Sequence, residues 1–558
     1  MRWFVGDSGG TAAGPRASLY DSLFLAVVVA LSCLPYVTGL GLYSDDWGLL
    51  STLHNSDGSY SGLLASIMEV LAPRPVQGHI LAGLYWLFGL DPLGYHALNS
   101  AALAAAVLLF YHSLRALGCS RLIALVVPLI FGLLPHYSTD RFWIAAFQAN
   151  AAILLYFVSL YADVRFVLRP RGLAWLWKVL GTVALIGSVL SYEVTAALFL
   201  VNVVVLLHVA GVRHQGAWDR RALPAALAVA SNILVLGLTI AYKLAVTERA
   251  DIAGGLRYRA LRVLTEGVPV HFGEYGLGLP VKVARALRDY PDALVITVSA
   301  LIGLAVGAYL LLVVRPALVR FDRRVRWPAV MLAGAGLFAA GYGVALMTWE
   351  IGFHTTGANN RTAIGAAVGV SWVFAGAIGW LSSSLSRERL RWVAFAGLVA
   401  LLAAGSTLLT STVARFWIHA ARRQDALIAG LRQQLPSLPA GSTLLLDGIC
   451  PFEGPAPVFV TWWDTRGMLE LTYQDWSLRG DVVRPNTEVL PAGIRTVLFD
   501  DVINLYPYGD QLIVFHAGTG MVVTLNSLDA ARQYFEGISI PGRPTCQPYT
   551  DGDGVAIY

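Results

Sequence analysis

Charge is what this chain has least of. Asp, Glu, Lys and Arg make up 13% of its 558 residues, against about 25% in soluble globular domains. Hydrophobic residues reach 56%, and mean hydropathy is +0.61. That scarcity excludes one soluble domain of this length, and with it disordered, collagen-like and coiled-coil chains. Internal repeats and low-complexity tracts are also absent, which lowers the weight of repeat-built transporters. No His/Cys spacing matches a metal site. Lysine occurs three times and arginine 37 times, a bias that points to a GC-rich bacterial source. What remains is a polytopic membrane protein.

The apolar character is uneven. Residues 420–558 hold nine Arg, no Lys and fifteen Asp or Glu, a net of −6, while residues 1–419 carry +11. The positive charge is spread over short loops, so it reads as a topology signal and not as a nucleic-acid surface. A membrane-spanning helix needs about 20 apolar residues. Eleven stretches qualify: 20–42, 93–114, 121–136, 143–162, 174–190, 193–210, 222–246, 291–314, 328–348, 363–383 and 392–413. Ile80–Leu90 is only about half that length and predicts an interfacial or re-entrant helix.

With the N-terminus in the cytoplasm, the inner segments carry nineteen Arg or Lys, and the short outer loops only Arg74, Arg141 and Arg361. The positive-inside rule therefore predicts a multi-pass protein of the bacterial cytoplasmic membrane. Its first apolar run lacks a cleavage site and is expected to stay as a span. The predicted domains are a membrane domain over 1–419 and an extracytoplasmic one over 420–558. Two outer loops stand out in the membrane domain, at 43–92 and at 247–290. The second is rich in Arg and apolar residues and suits contact with lipid phosphates.

The outer domain opens with an amphipathic helix over 420–435. Strand-like runs follow at Ser442–Leu446, Val458–Trp462, Thr496–Phe499, Gln511–Phe515 and Met521–Leu525, predicting an α/β or mostly β fold. It holds Cys450 and Cys546, a pair expected to form a disulfide in an oxidising compartment.

Candidate chemistry sits at the outer ends of spans. Asp45 and Asp46 follow the first span in Tyr43-Ser44-Asp45-Asp46-Trp47. A carboxylate there can act as general base on an acceptor hydroxyl, and its neighbour can orient the acceptor or hold a cation. Arg74 and Arg361 offer planar forks for a phosphate. His136, Asp140 and Arg141 share the outer face, the last two also fitting a local ion pair. Glu193 lies at the turn between the fifth and sixth spans, and His354 opens the stretch leading to Arg361. Positioning of donor or acceptor is the role open to these five. The two carboxylates can also bind Mg²⁺ or Mn²⁺ weakly; no other cofactor is indicated.

A first outer loop opening with an acidic pair and followed by Arg-Pro resembles the GT-C glycosyltransferases. So does Leu87-Phe88-Gly89-Leu90-Asp91-Pro92-Leu93-Gly94-Tyr95-His96-Ala97-Leu98-Asn99, which is similar to a segment of protein O-mannosyltransferase-like members. The Ser191-Tyr192-Glu193 turn is similar to a Ser-Lys-Glu of some members. Where members often carry Glu in the second outer loop, this chain has Asp140 at a different offset. The resemblance covers about residues 20–200. It implies a polyprenyl-phosphate-linked sugar as donor, an acidic residue of the first outer loop at the reaction centre, and inversion at the anomeric carbon. The acceptor, whether glycan, protein or lipid, is not given by it.

The expected function is thus transfer of a sugar from a polyprenyl-phosphate donor to an acceptor hydroxyl at the outer membrane face. The rival readings are a transporter or flippase of lipid-linked sugars, whose charges belong near mid-membrane, and an assembly protein whose outer domain is a binding module.

Overall fold

A computed structural model describes residues 15–168, 172–211, 222–246, 255–318, 321, 325–343, 352–498 and 502–537. Cys546 lies outside them, so the expected bridge to Cys450 does too. Among the described residues, eight helices are long and apolar enough to cross a membrane: Arg16–Cys33, Pro92–Ala116, Ile144–Leu168, Ala174–Ser191, Ala222–Val246, Ala293–Val314, Ala358–Ser383 and Glu388–Gln434. Many of their large apolar side chains, Leu23, Val27, Val183, Leu238 and Leu304 among them, are exposed. A belt of that kind is stable only against lipid.

The other three expected spans are shorter helices: Arg121–Leu133, Leu198–Gly211 and Trp327–Gly341. At 1.5 Å per residue Arg121–Leu133 and Trp327–Gly341 reach about 20–22 Å, less than the roughly 30 Å hydrocarbon core. Arg121–Leu133 is buried along its whole length, so its ends meet protein instead of lipid. Trp327–Gly341 packs backbone to backbone on Ile364–Ser383. A Cβ on Gly341 would sit 2.4 Å from the Ala366 nitrogen, and one on Gly369 would sit 2.1 Å from that of Phe338. Small residues at such crossings replace the hydrophobic drive that lipid removes.

Buried charges tie the bundle together. Asp21 accepts Arg121 Nε and Nη2 at 2.9 and 2.7 Å, Tyr111 at 3.0 Å and Tyr309 at 2.7 Å. Asp163 accepts Lys178 at 2.9 Å and Asn232 at 2.6 Å. Each carboxylate thus has the partners its burial demands.

The segment expected as the first outer loop is helical, with Asp45–His54, Tyr60–Leu71 and Pro75–Phe88. The last overlaps the apolar run Ile80–Leu90 and leaves Trp86 and Leu87 exposed. The segment expected as a long loop at 247–290 is also largely helical from Leu256 to Asp289, with π-type turns at Val263–Gly267 and Pro269–Leu277. The last span and the amphipathic helix expected at 420–435 are one helix, Glu388–Gln434, of 47 residues and about 70 Å. No Gly or Pro punctuates 406–429, so nothing ends the helix where the membrane does.

Beyond that helix lie β1 (Thr443–Asp447), β2 (Phe452–Glu453), β3 (Ala456–Pro457), β4 (Arg479–Val482), β5 (Glu488–Leu490), β6 (Gly493–Leu498), β7 (Val502–Tyr506), β8 (Leu512–His516) and β9 (Met521–Thr524). The main sheet has the order β4-β1-β8-β9. β1 runs parallel to both neighbours, and β9 is antiparallel to β8. β5, β6 and β7 form an antiparallel meander. The domain is therefore α/β. The strand expected at Val458–Trp462 is absent. Its end is the start of the helix Trp462–Tyr473, where Thr461 and Asp464 form a reciprocal capping box. One apolar core joins both parts of the chain, running from Tyr36 and Tyr43 through Trp417 to Leu444 and Met468.

Candidate active site

Asp45 and Asp46 open the helix Asp45–His54 but do different things. Asp46 is buried and accepts two backbone N–H groups, from Tyr43 at 2.9 Å and Ala145 at 2.7 Å. Burial pushes its carboxyl well above the usual range, and those N–H groups pull it back. It is a clamp between the segment after Arg16–Cys33 and the start of Ile144–Leu168. Asp45 is half-exposed and accepts the indole N–H of Trp463 at 2.8 Å. Between Tyr43 and Asp45 the backbone of Ser44 has φ +46°, a conformation that costs a non-glycine residue about 1–3 kcal/mol. The turn is held on both sides by the Asp46 clamp and by Trp143 Nε1, which donates to the Tyr43 carbonyl at 2.9 Å.

Trp463 reaches Asp45 because its helix docks on Asp45–His54. At the crossing a Cβ on Gly467 would sit 2.5 Å from the carbonyl carbon and oxygen of Trp47. Ser51 donates to Glu470, and His54 meets Gln474 at 3.0 Å. Gly467→Ala is therefore expected to open this contact. Amide exchange over 45–54 should rise at least ~10-fold, while Thr443–Asp447 stays protected; unchanged exchange over 45–54 would contradict the docking.

Arg74, at the start of Pro75–Phe88, is bidentate to Glu193, with Nη2–Oε1 at 2.8 Å and Nε–Oε2 at 3.4 Å. Its guanidinium lies 4.9 Å from the Tyr192 ring centroid. Glu193 also accepts Lys243 Nζ. Tyr242 donates to the Ala72 carbonyl at 3.1 Å, fastening the Lys243 helix to the Arg74 turn. Asp45 lies within electrostatic reach of Arg74.

Arg361 stacks on Trp143, 4.9 Å from its centroid. Among the described residues it makes no ion pair. Asn360 places it: the side chain donates to the carbonyls of His136 and Thr355 and accepts the Thr139 N–H, at 2.7, 2.9 and 3.2 Å. Both oxygens of Asp140 are buried without a hydrogen-bond partner. Burial raises its carboxyl, against the pull of Arg361 and Arg141. Asn99 and Asn150 hold its carbonyl at 2.7 and 2.8 Å. Tyr192 lies within electrostatic reach of Arg361, Arg74, Glu193 and Asp140 alike, and Trp143 ties Arg361, which stacks on its ring, to the turn before Asp45, whose Tyr43 carbonyl it holds; these residues make up one patch.

The remaining candidates border the patch but turn their side chains to other partners. Arg141 does not pair with Asp140. It turns back to the carbonyls of Gly132 and Leu134 at 2.9 and 3.1 Å, closing the end of Arg121–Leu133. His136 is buried, hydrogen-bonded to the His271 carbonyl at 3.1 Å and stacked on the His271 ring. His354 lies beside Asn360, its carbonyl 3.4 Å from Nδ2, and within electrostatic reach of Glu266. Lys243, Trp143, Tyr192 and Trp463 were not singled out by sequence. Only Lys243 carried a signal, as a cation near the end of an apolar run. Among the described residues no three His, Cys, Asp or Glu side chains gather to hold a metal ion, and both Asp46 oxygens are taken by backbone N–H groups.

No protein-family model matches the chain, and no curated protein matches it. Among solved structures it is similar to the oligosaccharyltransferase of Archaeoglobus fulgidus tethered to an acceptor peptide, at 12% identity and TM-score 0.37. That match covers 82% of this chain, which spans only 63% of the archaeal protein. It is also similar to ArnT of Cupriavidus metallidurans bound to undecaprenyl phosphate, at 15% identity and TM-score 0.36 over 79% of this chain and 85% of the other. The apo form of that ArnT aligns at 17% identity and TM-score 0.35, over 79% and 86%. Overlap and identity at this level leave the functional reading to rest on the chain's own residues.

Proposed function

We propose that the protein is a membrane glycosyltransferase that takes a sugar from a polyprenyl-phosphate donor and passes it to an acceptor hydroxyl. The observation that carries this reading is the patch itself. Asp45 is half-exposed on the turn whose Tyr43 carbonyl accepts Trp143, Arg361 stacks on that same Trp143 ring, and Arg74 lies within electrostatic reach of Asp45, all on a scaffold whose outside is apolar. A donor that is half lipid and half charged sugar phosphate needs those surfaces side by side.

Asp45 takes the proton of the acceptor hydroxyl as its oxygen attacks the anomeric carbon. The bond to the phosphate oxygen breaks, and the phosphate leaves as an anion held by guanidinium groups. A single displacement inverts the anomeric carbon. Asp46, with both oxygens occupied by backbone N–H groups, keeps the turn in shape. The transporter reading draws less support, because Asp21 and Asp163 are buried among helices but fully partnered.

The test is a sugar-transfer assay with purified protein, a panel of polyprenyl-phosphate sugars and glycan, peptide and lipid acceptors. Transfer with at least one donor is expected. Arg361→Ala should weaken donor binding about 10-fold, the scale of one charge-assisted hydrogen bond, with a smaller change in turnover. Absence of transfer from every donor would overturn the proposal.

A further inference from the structure

Glu193 has more positive charge around it than one carboxylate needs. We propose that Arg74 and Lys243 form the phosphate site of the lipid donor, and that the Glu193 carboxylate is its resting occupant, displaced when the phosphate arrives. This rests on the reading of the protein as a polyprenyl-phosphate-dependent transferase.

The three groups come from separate elements: Arg74 from the first outer loop, Glu193 from the turn after Ala174–Ser191, and Lys243 from the end of Ala222–Val246. Their side-chain exposures are 32%, 25% and 13%, so the cluster is open enough to exchange partners. A buried structural ion pair balances its charges, as Asp21 and Arg121 do. Here one carboxylate is shared by two cations, so Glu193 is not matched to a single partner. The arrangement, two nitrogens of a guanidinium fork and an ammonium around two oxygens, is also how two oxygens of a phosphate are held. Arg361, without an ion pair among the described residues, lies on the same patch and adds a third cation. Asp45 lies within electrostatic reach of Arg74, so the base and the phosphate site share one region.

The charges also give Glu193 a use. The donor is a phosphodiester with one negative charge. The product, a polyprenyl phosphate monoester, carries about −1.5 to −2 and binds two cations more tightly than the donor does. A carboxylate that swings back onto Arg74 and Lys243 competes with the product and speeds its departure. Glu193 is therefore a positioning residue for release, with no contact to the reacting atoms.

The test measures binding of undecaprenyl phosphate to the full chain in phosphatidylcholine nanodiscs, with undecaprenol and inorganic phosphate as separate arms. Glu193→Gln removes the competing charge and keeps the shape. It is expected to tighten undecaprenyl phosphate about 5–50-fold and to slow its dissociation, whereas Lys243→Met weakens it at least ~10-fold. Undecaprenol should respond to neither, and inorganic phosphate should follow the same ranking more weakly. Glu193→Ala serves if the glutamine variant does not fold. Unchanged or weaker binding in a folded Glu193 variant would overturn the inference, as would a ranking seen with inorganic phosphate but not with the lipid. Equal binding of undecaprenyl phosphate and undecaprenol by the wild type would instead remove the donor reading beneath it.

Discussion

Asp45→Asn should lower sugar transfer about 10²–10⁴-fold, the usual contribution of a positioned general base, with donor binding nearly unchanged. The amide keeps the size of the side chain and can still accept the Trp463 N–H, so the docking of Trp462–Tyr473 should persist. Asp46→Asn is expected to fail differently. Its two oxygens serve the N–H groups of Tyr43 and Ala145, and an amide can serve only one of them. The loss of about 1–3 kcal/mol for a buried unsatisfied donor should appear as lower thermal stability, with the turnover of the folded fraction retained. Full transfer activity in purified Asp45→Asn protein would end the carboxylate-base mechanism.

Asp21→Ala should destabilise the bundle by about 3–5 kcal/mol, the cost of breaking a buried ion pair from one side. The change strands Arg121, 7% exposed, and removes the acceptor of Tyr111 and Tyr309. Thermal or detergent-induced unfolding of the purified protein measures it. Replacing Asp21 by Leu and Arg121 by Met together should cost less than Asp21→Ala, since no charge is then left unpaired. A double variant less stable than the single one would contradict this account.

Much of the bundle was legible because lipid forces long apolar runs on any chain that crosses it. The run at 121–136 read as an ordinary span because hydropathy does not register how completely protein surrounds Arg121–Leu133. β1, β8 and β9 showed as short β-branched or Leu-rich runs between turns. Val458–Trp462 looked the same, although Thr461 and Asp464 three positions apart already spelled a helix start. The charged members of the patch stood out as isolated charges at span ends. Their partners did not, since Asp45–Trp463 and Glu193–Lys243 are separated by 418 and 50 positions. Nor could spacing tell Asp45 from Asp46, because adjacent carboxylates differ only in what the fold brings to each.

The 47-residue helix has a mechanical consequence. Tyr43 donates to the Trp417 carbonyl at 2.8 Å, and a Cβ on Gly41 would sit 2.8 Å from that of Ala421, so the strand of chain before Asp45 is riveted to the helix shaft. Farther along the same shaft, Gln424 donates to the Val458 carbonyl at 2.6 Å. Trp462–Tyr473 then closes the figure by resting on Asp45–His54. Shaft, rivet and cross-brace make a triangle, and a triangle cannot shear. The corner at Asp45 is therefore expected to keep one shape whether or not a ligand is bound.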